Sequence, residues 1–399
     1  MKLKELIYRG LLLPLYLISY VFPRRKNLWI FGSYASSFVD NSKYLFIYVS
    51  EHQKDVEAIW ISPSMSTVLE IRQLGFRAYK KWSFLGVFYS LRGYFYFYSA
   101  YVSDINLWTS AGGVKINLWH GVPLKKIEFD IKSGPLGKIF KGGIFNSIKY
   151  PNHYVKAKYV LSPSEEVSKY FSTAFRTRMQ DCLNFGYPRN DIILSEEHYI
   201  EEFIRKYESQ ELWSFLNSLS GYRSVFVYMP TWRDTGSDFV SESGMDFSQL
   251  NDVMKSTNSV FLMKLHSNSS INFDGEGFSN VKIIENTTDM YTIIPFCSHV
   301  ITDYSSIMFD AYMAGKQLIF FPFDKEEYVS ARELYFNYDE VLSSMRVCFD
   351  FTSLLRELES PCGDNSIKSK FFLELLGESD NKSSERLVKY LKTYAGMNK

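Results

Sequence analysis

The chain has 399 residues, and 45 Lys and Arg stand against 44 Asp and Glu, a formal charge of +1. That balance argues against a nucleic-acid binder driven by bulk charge and against an acidic disordered chain. The length and the 46% apolar content predict two domains, or one large one, with a real core. Four cysteines (Cys182, Cys297, Cys348, Cys362) without CxxC spacing argue against a zinc site or disulfide framework and for a reducing compartment. Aromatic residues make up 17%, more than a core needs, which points to surfaces that meet lipid or sugar or to an unusual base composition.

The N-terminus opens with an apolar stretch, residues 5–22, closed by Pro23-Arg24-Arg25-Lys26. Its uncharged run, Gly10 to Pro23, is shorter than the ~20 residues of a spanning helix, and no small-residue cleavage site follows it. Six cations flank it against one acid, Glu5, the pattern of a helix lying in the interface of an anionic leaflet. The alternative is a helix packed on the first domain.

From Asn27 onward, short apolar runs alternate with helix-length segments. Strands are predicted at 27–32, 56–61, 94–102, 115–119, 159–161 and 182–185, with helices such as 66–74 and 167–173 between them. After a charged helical stretch, 195–219, a second series follows at 224–229, 260–265, 281–284, 300–302 and 317–321. Such alternation predicts an α/β chain of two Rossmann-like domains facing a central cleft, with ligands beyond the carboxyl ends of the strands. The expected division is a membrane-interface segment at 1–26, an N-terminal domain at 27–190, a C-terminal domain at 191–380, and a helix at 381–399 that crosses back.

Four strand ends carry the polar residues that chemistry needs. His120 follows an apolar strand and precedes Gly121, so its imidazole is placed to accept a proton, unless it is a structural histidine. Lys125 and Lys126 stand beside it, in a basic, glycine-rich stretch from Pro123 to Asn152 that suits a polyanionic acceptor or is a solvated loop. Arg233, two residues after Thr231, is placed to clamp a phosphate with Asp234 holding its guanidinium, unless the two form a surface pair. Lys264 and His266 share one side of a strand end and can meet one anion, or mark an exposed edge strand. Asp303 closes a strand, and Ser305 and Ser306 open a helix as an anion site or as plain caps. The sequence has neither GxxxxGK[ST] nor GxGxxG, and neither His120 nor His266 has a carboxylate at ligand spacing, so no metal is expected to hold the phosphates.

Taken in order, WHGVPLKK (119–126), GYPRND (186–191), YMPTWRD (228–234), KLH (264–266), TDYSSIMFD (302–310) and FPFDKEEY (321–328) resemble the CDP-glycerol glycerophosphotransferase family. The similarity runs from about Asn27 to Tyr338. It implies a glycosyltransferase-B-like architecture, with a CDP-alditol donor (CDP-glycerol or CDP-ribitol) on the C-terminal domain and the acceptor on the N-terminal one. It implies that an acceptor hydroxyl attacks the β-phosphorus and CMP leaves, in teichoic-acid or capsule synthesis at the cytoplasmic face of the membrane. Carried over by position, His120 is the base and His266 the second catalytic histidine, on the donor phosphates. Thr231, Arg233, Lys264, Asp303, Ser305 and Ser306 then serve the donor, and Lys125 and Lys126 contact the acceptor or a phosphate. The implied partners are a lipid-linked or polyanionic glycan and an anionic membrane surface, with no nucleic acid, no bound cofactor and no stated oligomeric state. The competing readings are a nucleotide-sugar-dependent glycosyltransferase or epimerase, and a non-catalytic membrane-surface partner.

Overall fold

In the computed structural model the described residues are 3–231, 233, 242–264, 277–343, 345–361 and 369–397, with backbone alone for 3–8 and 331. The chain forms two compact units, Met1–His120 with Lys126–Ile192 and Gly377–Lys399, and Gly121–Lys125 with Ile193–Leu376.

The first unit holds a seven-stranded sheet. Its strands are β1 (Arg25–Phe31), β2 (Glu57–Ser62), β3 (Ala78–Lys80), β4 (Gly93–Tyr98), β5 (Val114–Asn117), β6 (Tyr159–Ser162) and β7 (Cys182–Asn184). All pairs are parallel, in the order β3-β2-β1-β4-β5-β6-β7. The aromatic surplus goes largely into this sheet. Trp29 packs edge-on against Phe95 at 5.2 Å, and Phe31 stacks on Phe97 at 4.6 Å. Rings of this size bury much apolar area per residue, which lets such short strands hold a core.

The second unit holds a six-stranded sheet. It comprises β8 (Ser224–Met229), β9 (Ser259–Met263), β10 (Val281–Ile283), β11 (His299–Thr302), β12 (Gln317–Phe320) and β13 (Arg346–Val347). Again every pair is parallel, in the order β10-β9-β8-β11-β12-β13. Buried Phe226, Phe261, Ile301 and Ile319 form its centre. In each sheet the order reverses beside the first strand, between β1 and β4 and between β8 and β11, the place where doubly wound sheets bind ligands.

The α/β class with parallel sheets is as the sequence predicts. Strands β3 and β13 were not foreseen, being two or three residues long and partly exposed edge strands without an apolar run. The predicted strand 94–102 stops at Tyr98, and the following residues turn through a 3-10 helix, Val102–Asp104, tied by the Asp104 carboxylate to the Ala100 and Tyr101 N–H groups. The stretch from Pro123 to Asn152, for which a solvated loop is one of the two sequence readings, is largely helical, with Gly134–Phe140 and Ile144–Lys149 leading to Pro151–Tyr154.

The N-terminal helix, Leu3–Val21, packs and projects at once. Tyr16 lies edge-on to Trp108 at 6.5 Å, and Ser19 is buried. Leu11, Leu13, Leu17, Ile18, Tyr20 and Val21 are exposed. Among the described residues no helix is long and apolar enough to cross a membrane. At the other end, helix Ser383–Ala395 closes the first unit, with the Ser383 and Ser384 N–H groups donating to Asp191 at 2.7 and 2.8 Å.

Candidate active site

In the first unit, β5 delivers His120. The strand stops at Asn117 because Trp119 adopts φ 51° and Gly121 φ 144°, backbone states that break the ladder. A bulky residue at positive φ costs on the order of 1–3 kcal/mol and persists only when its surroundings impose it. Here they do. The Trp119 N–H donates to Asn117 Oδ1 at 2.9 Å, and Asn41 Nδ2 donates to the Trp119 carbonyl at 3.0 Å. Arg189, fully buried, donates from Nη1 to Asp40 Oδ1 at 2.7 Å and to the His120 carbonyl at 3.0 Å.

The imidazole itself is fixed by the Ser99 carbonyl, which lies 3.0 Å from Nδ1. A carbonyl only accepts, so Nδ1 carries the proton and Nε2 of the neutral ring keeps its lone pair. The Trp119 ring lies over it at 4.0 Å between centroids. Desolvation by the surrounding protein lowers the His120 pKa below the ordinary histidine value. Asp40 and the Ser99 carbonyl oppose that shift, and Arg189 adds to it. The result is a neutral, oriented proton acceptor at neutral pH.

In the second unit, a polar knot occupies the switch point. Asp303, fully buried just past β11, accepts the Thr231 N–H from just past β8 at 2.8 Å, and also accepts the Tyr304 N–H. Its other oxygen meets Arg233 Nη2 at 2.9 Å. Arg233, 6% exposed, also forks onto Asp324, with Nε to Oδ2 at 2.6 Å and Nη2 to Oδ1 at 2.9 Å. The two carboxylates raise its already high pKa against the lowering effect of burial. Tyr304 donates to Asp324 at 3.1 Å and stacks on Tyr328 at 3.7 Å, while Tyr338 donates to the Asp303 carbonyl at 2.7 Å.

One guanidinium between two carboxylates is formally negative, so the knot by itself repels phosphate. At its rim stands a cation, Lys125, whose Nζ lies 5.1 Å from the Tyr328 ring centroid. Burial pushes its pKa down to about 8, aided by Arg332 and Arg233 and opposed by Asp303. The Thr231 hydroxyl oxygen is buried with no hydrogen-bond partner among the described residues.

The other residues singled out from the sequence fall as follows. Lys264 lies one residue beyond β9 and donates to the Glu285 and Thr288 carbonyls at 2.6 and 3.0 Å, its pKa pushed down to about 8 by burial. Ser305 and Ser306 are half-buried, and the helix begins one residue later, as Ile307–Met313, with Ser306 at its cap and no side-chain capping bond. Lys126 belongs to the first unit although Lys125 belongs to the second. His266 and Asp234 lie outside the described residues. Arg233 is held by Asp303 and Asp324, partners the sequence reading did not give it. Asp324 and Arg189 each stood inside a motif already marked, FPFDKEEY and GYPRND. Ser99 acts through its carbonyl, which no sequence pattern can announce. Among the described residues no three His, Cys, Asp or Glu side chains converge as a metal site.

A family profile for CDP-glycerol:poly(glycerophosphate) glycerophosphotransferase matches residues 15–393. The chain belongs to this family. The glycerophosphotransferase-family chain is 26% identical over 383 residues to a teichoic acid glycerol-phosphate transferase of Staphylococcus aureus, covering 91% of this chain and 92% of that one. It is 30% identical to a teichoic acid poly(glycerol phosphate) polymerase of Staphylococcus epidermidis, covering 57% of this chain and 31% of that protein's length. Among solved structures it is similar to a histidine variant of the wall teichoic acid polymerase TagF soaked with CDPG. The TM-score is 0.77 at 22% identity, covering 99% of this chain and 96% of the other. A weaker likeness, TM-score 0.53 at 10% identity, extends to the UDP complex of S. aureus MnaA over 92% of this chain and 97% of that one. At these identities both structures speak to the fold alone.

Proposed function

We propose that the chain transfers glycerol phosphate or ribitol phosphate from its CDP-alditol to a hydroxyl of a membrane-associated glycan or polyol-phosphate acceptor. The acceptor O–H gives its proton to His120 Nε2, and the oxygen attacks the β-phosphorus. The bond from that phosphorus to the oxygen of CMP breaks, CMP leaves with the electron pair, and a phosphodiester remains. Little covalent chemistry is asked of the protein, so orientation and charge dominate. The observation that carries this reading is the Ser99 carbonyl on His120 Nδ1, which leaves the opposite nitrogen as the proton acceptor.

Donor binding is assigned to the second unit. Thr231, Asp303, Ser305 and Ser306 surround its switch point, with Arg233 ordering them through Asp303 and Asp324. Lys125 and Lys264 supply positive charge, and His266 is retained as the second catalytic histidine. Lys126 is assigned to the acceptor. The first unit is thus assigned the acceptor and the second the donor.

Membrane attachment at the cytoplasmic face is part of the same proposal. Exposed apolar residues stand on Leu3–Val21 and also on helix Ile144–Lys149, where Ile144, Phe145 and Ile148 are exposed. Arg9 joins the two helices by donating to the Ile148 and Lys149 carbonyls at 3.0 and 2.7 Å. Incubating the purified protein with CDP-glycerol, CDP-ribitol and UDP-N-acetylglucosamine tests the function. Release of CMP with a product heavier by one polyol phosphate is expected, and release of UDP alone would overturn it.

A further inference from the structure

The stretch after His120 does more than present lysines. Between the ends of β4 and β5 and the helical segment 134–154 lies a small cavity of about 80 Å³, open to solvent and contained within the first unit. It is too small to enclose a whole ligand, but its open mouth can seat one residue of a chain, and the ends of these strands are where doubly wound sheets bind ligands.

Its lining is chemically unfinished. Glu128, buried and held at φ 47°, accepts one side-chain hydrogen bond among the described residues, from Tyr101 Oη at 2.7 Å. A carboxyl has room for about four. The other face of Tyr101 meets the His153 ring edge-on at 4.5 Å, and His153 Nδ1 is buried with no partner among the described residues. Arg176 lies with its guanidinium carbon 3.7 Å from the Phe129 ring centroid, and no carboxylate pairs with it among the described residues. Buried polar groups normally find partners, and several left open around one cavity mark a place where a ligand supplies them. Burial also pushes the Glu128 carboxyl up to about 7, so near neutrality it can donate as well as accept.

We propose that this cavity is a subsite for a polyol-phosphate residue of the acceptor, its hydroxyls meeting Glu128 and His153 and its phosphate meeting Arg176. The aromatic walls, Phe129, Tyr154 and Phe175, suit the carbon chain of a polyol. The assignment rests on the transfer reading above and adds to it where the already built part of the acceptor is held. Trp119 links the two places, its ring packing on Phe175 at 4.8 Å while it lies over His120.

The test uses the full chain and two readouts. In ligand-observed NMR, a di(glycerol phosphate) oligomer should bind the wild type and lose about tenfold in affinity in Glu128→Gln and in Arg176→Gln. In the transfer assay those variants should raise the acceptor KM about tenfold, with kcat and donor KM within about twofold. Free sn-glycerol 3-phosphate is the control for source: if it binds while the oligomer does not, the cavity is no acceptor subsite. Unchanged oligomer binding in both variants overturns the assignment as well. A wild type that binds the oligomer but releases no CMP from either CDP-alditol would refute the transfer reading and leave the binding result standing.

Discussion

The carbonyl of Ser99 lies 3.0 Å from Nδ1 of His120 and decides which imidazole nitrogen can take a proton. Replacing His120 by Ala removes that acceptor and leaves the Ser99 carbonyl without its imidazole partner. Turnover should fall by ~10²-fold or more with donor affinity retained. The measurement is CMP release under saturating donor, with donor KM in parallel; near-normal turnover would remove His120 from this role.

The same residue sets the acid limb of the pH profile. Desolvation lowers the His120 pKa below the ordinary histidine value. The active, neutral form therefore persists below pH 6.5, and kcat/KM should decline only at lower pH. A profile whose acid limb lies above 6.5 would contradict the observed environment.

Arg233 sits between Asp303 and Asp324 with little solvent access. Arg233→Met leaves both carboxylates without their cation, one of them fully buried. The expected loss of stability is about 3–5 kcal/mol, read from urea unfolding midpoints. Arg233→Lys should recover part of it, since an ammonium cannot reproduce the fork. A midpoint unchanged in the Met variant would show that the knot is not holding the loops.

Glu128 makes stability pH-dependent. Burial raises its pKa from 4.5 to about 7. The folded chain thus keeps a proton that the unfolded chain releases, so stability falls as pH rises from 4.5 to about 7 and then levels. The span is about 3 kcal/mol at most. Glu128→Gln should flatten this slope and be the more stable protein at pH 8. Parallel pH–stability curves for the two proteins would refute it.

Leu11, Leu17 and Tyr20 are exposed on the N-terminal helix. Changing all three to Glu should lower sedimentation with anionic vesicles at least tenfold, given ~1.5–3 kcal/mol for each apolar side chain withdrawn from water. The melting temperature should stay near that of the wild type. Point changes are preferable to deleting residues 1–26, because Arg24 donates to the carbonyls of Ser19, Ser90, Gly93 and Thr109 and so anchors the first unit. Unchanged sedimentation would place the membrane contact elsewhere.

What the amino-acid order determined by itself was local. Runs such as NLWIF and SVFVYM are apolar on both faces, which requires parallel strands buried between helices, and turns after them put His120, Thr231 and Asp303 at strand ends. The family was equally legible, because its motifs are contiguous strings. Partnerships across the chain were not. Ser99 with His120, Arg189 with Asp40, and Arg233 with Asp303 and Asp324 join residues 21 to 149 positions apart. Such pairs form only when the sheet order brings distant strand ends together, and a backbone carbonyl carries no side-chain signature at all. The buried carboxyl of Glu128 had the same fate: in the sequence it was one acid in a basic stretch, and only packing took away its water.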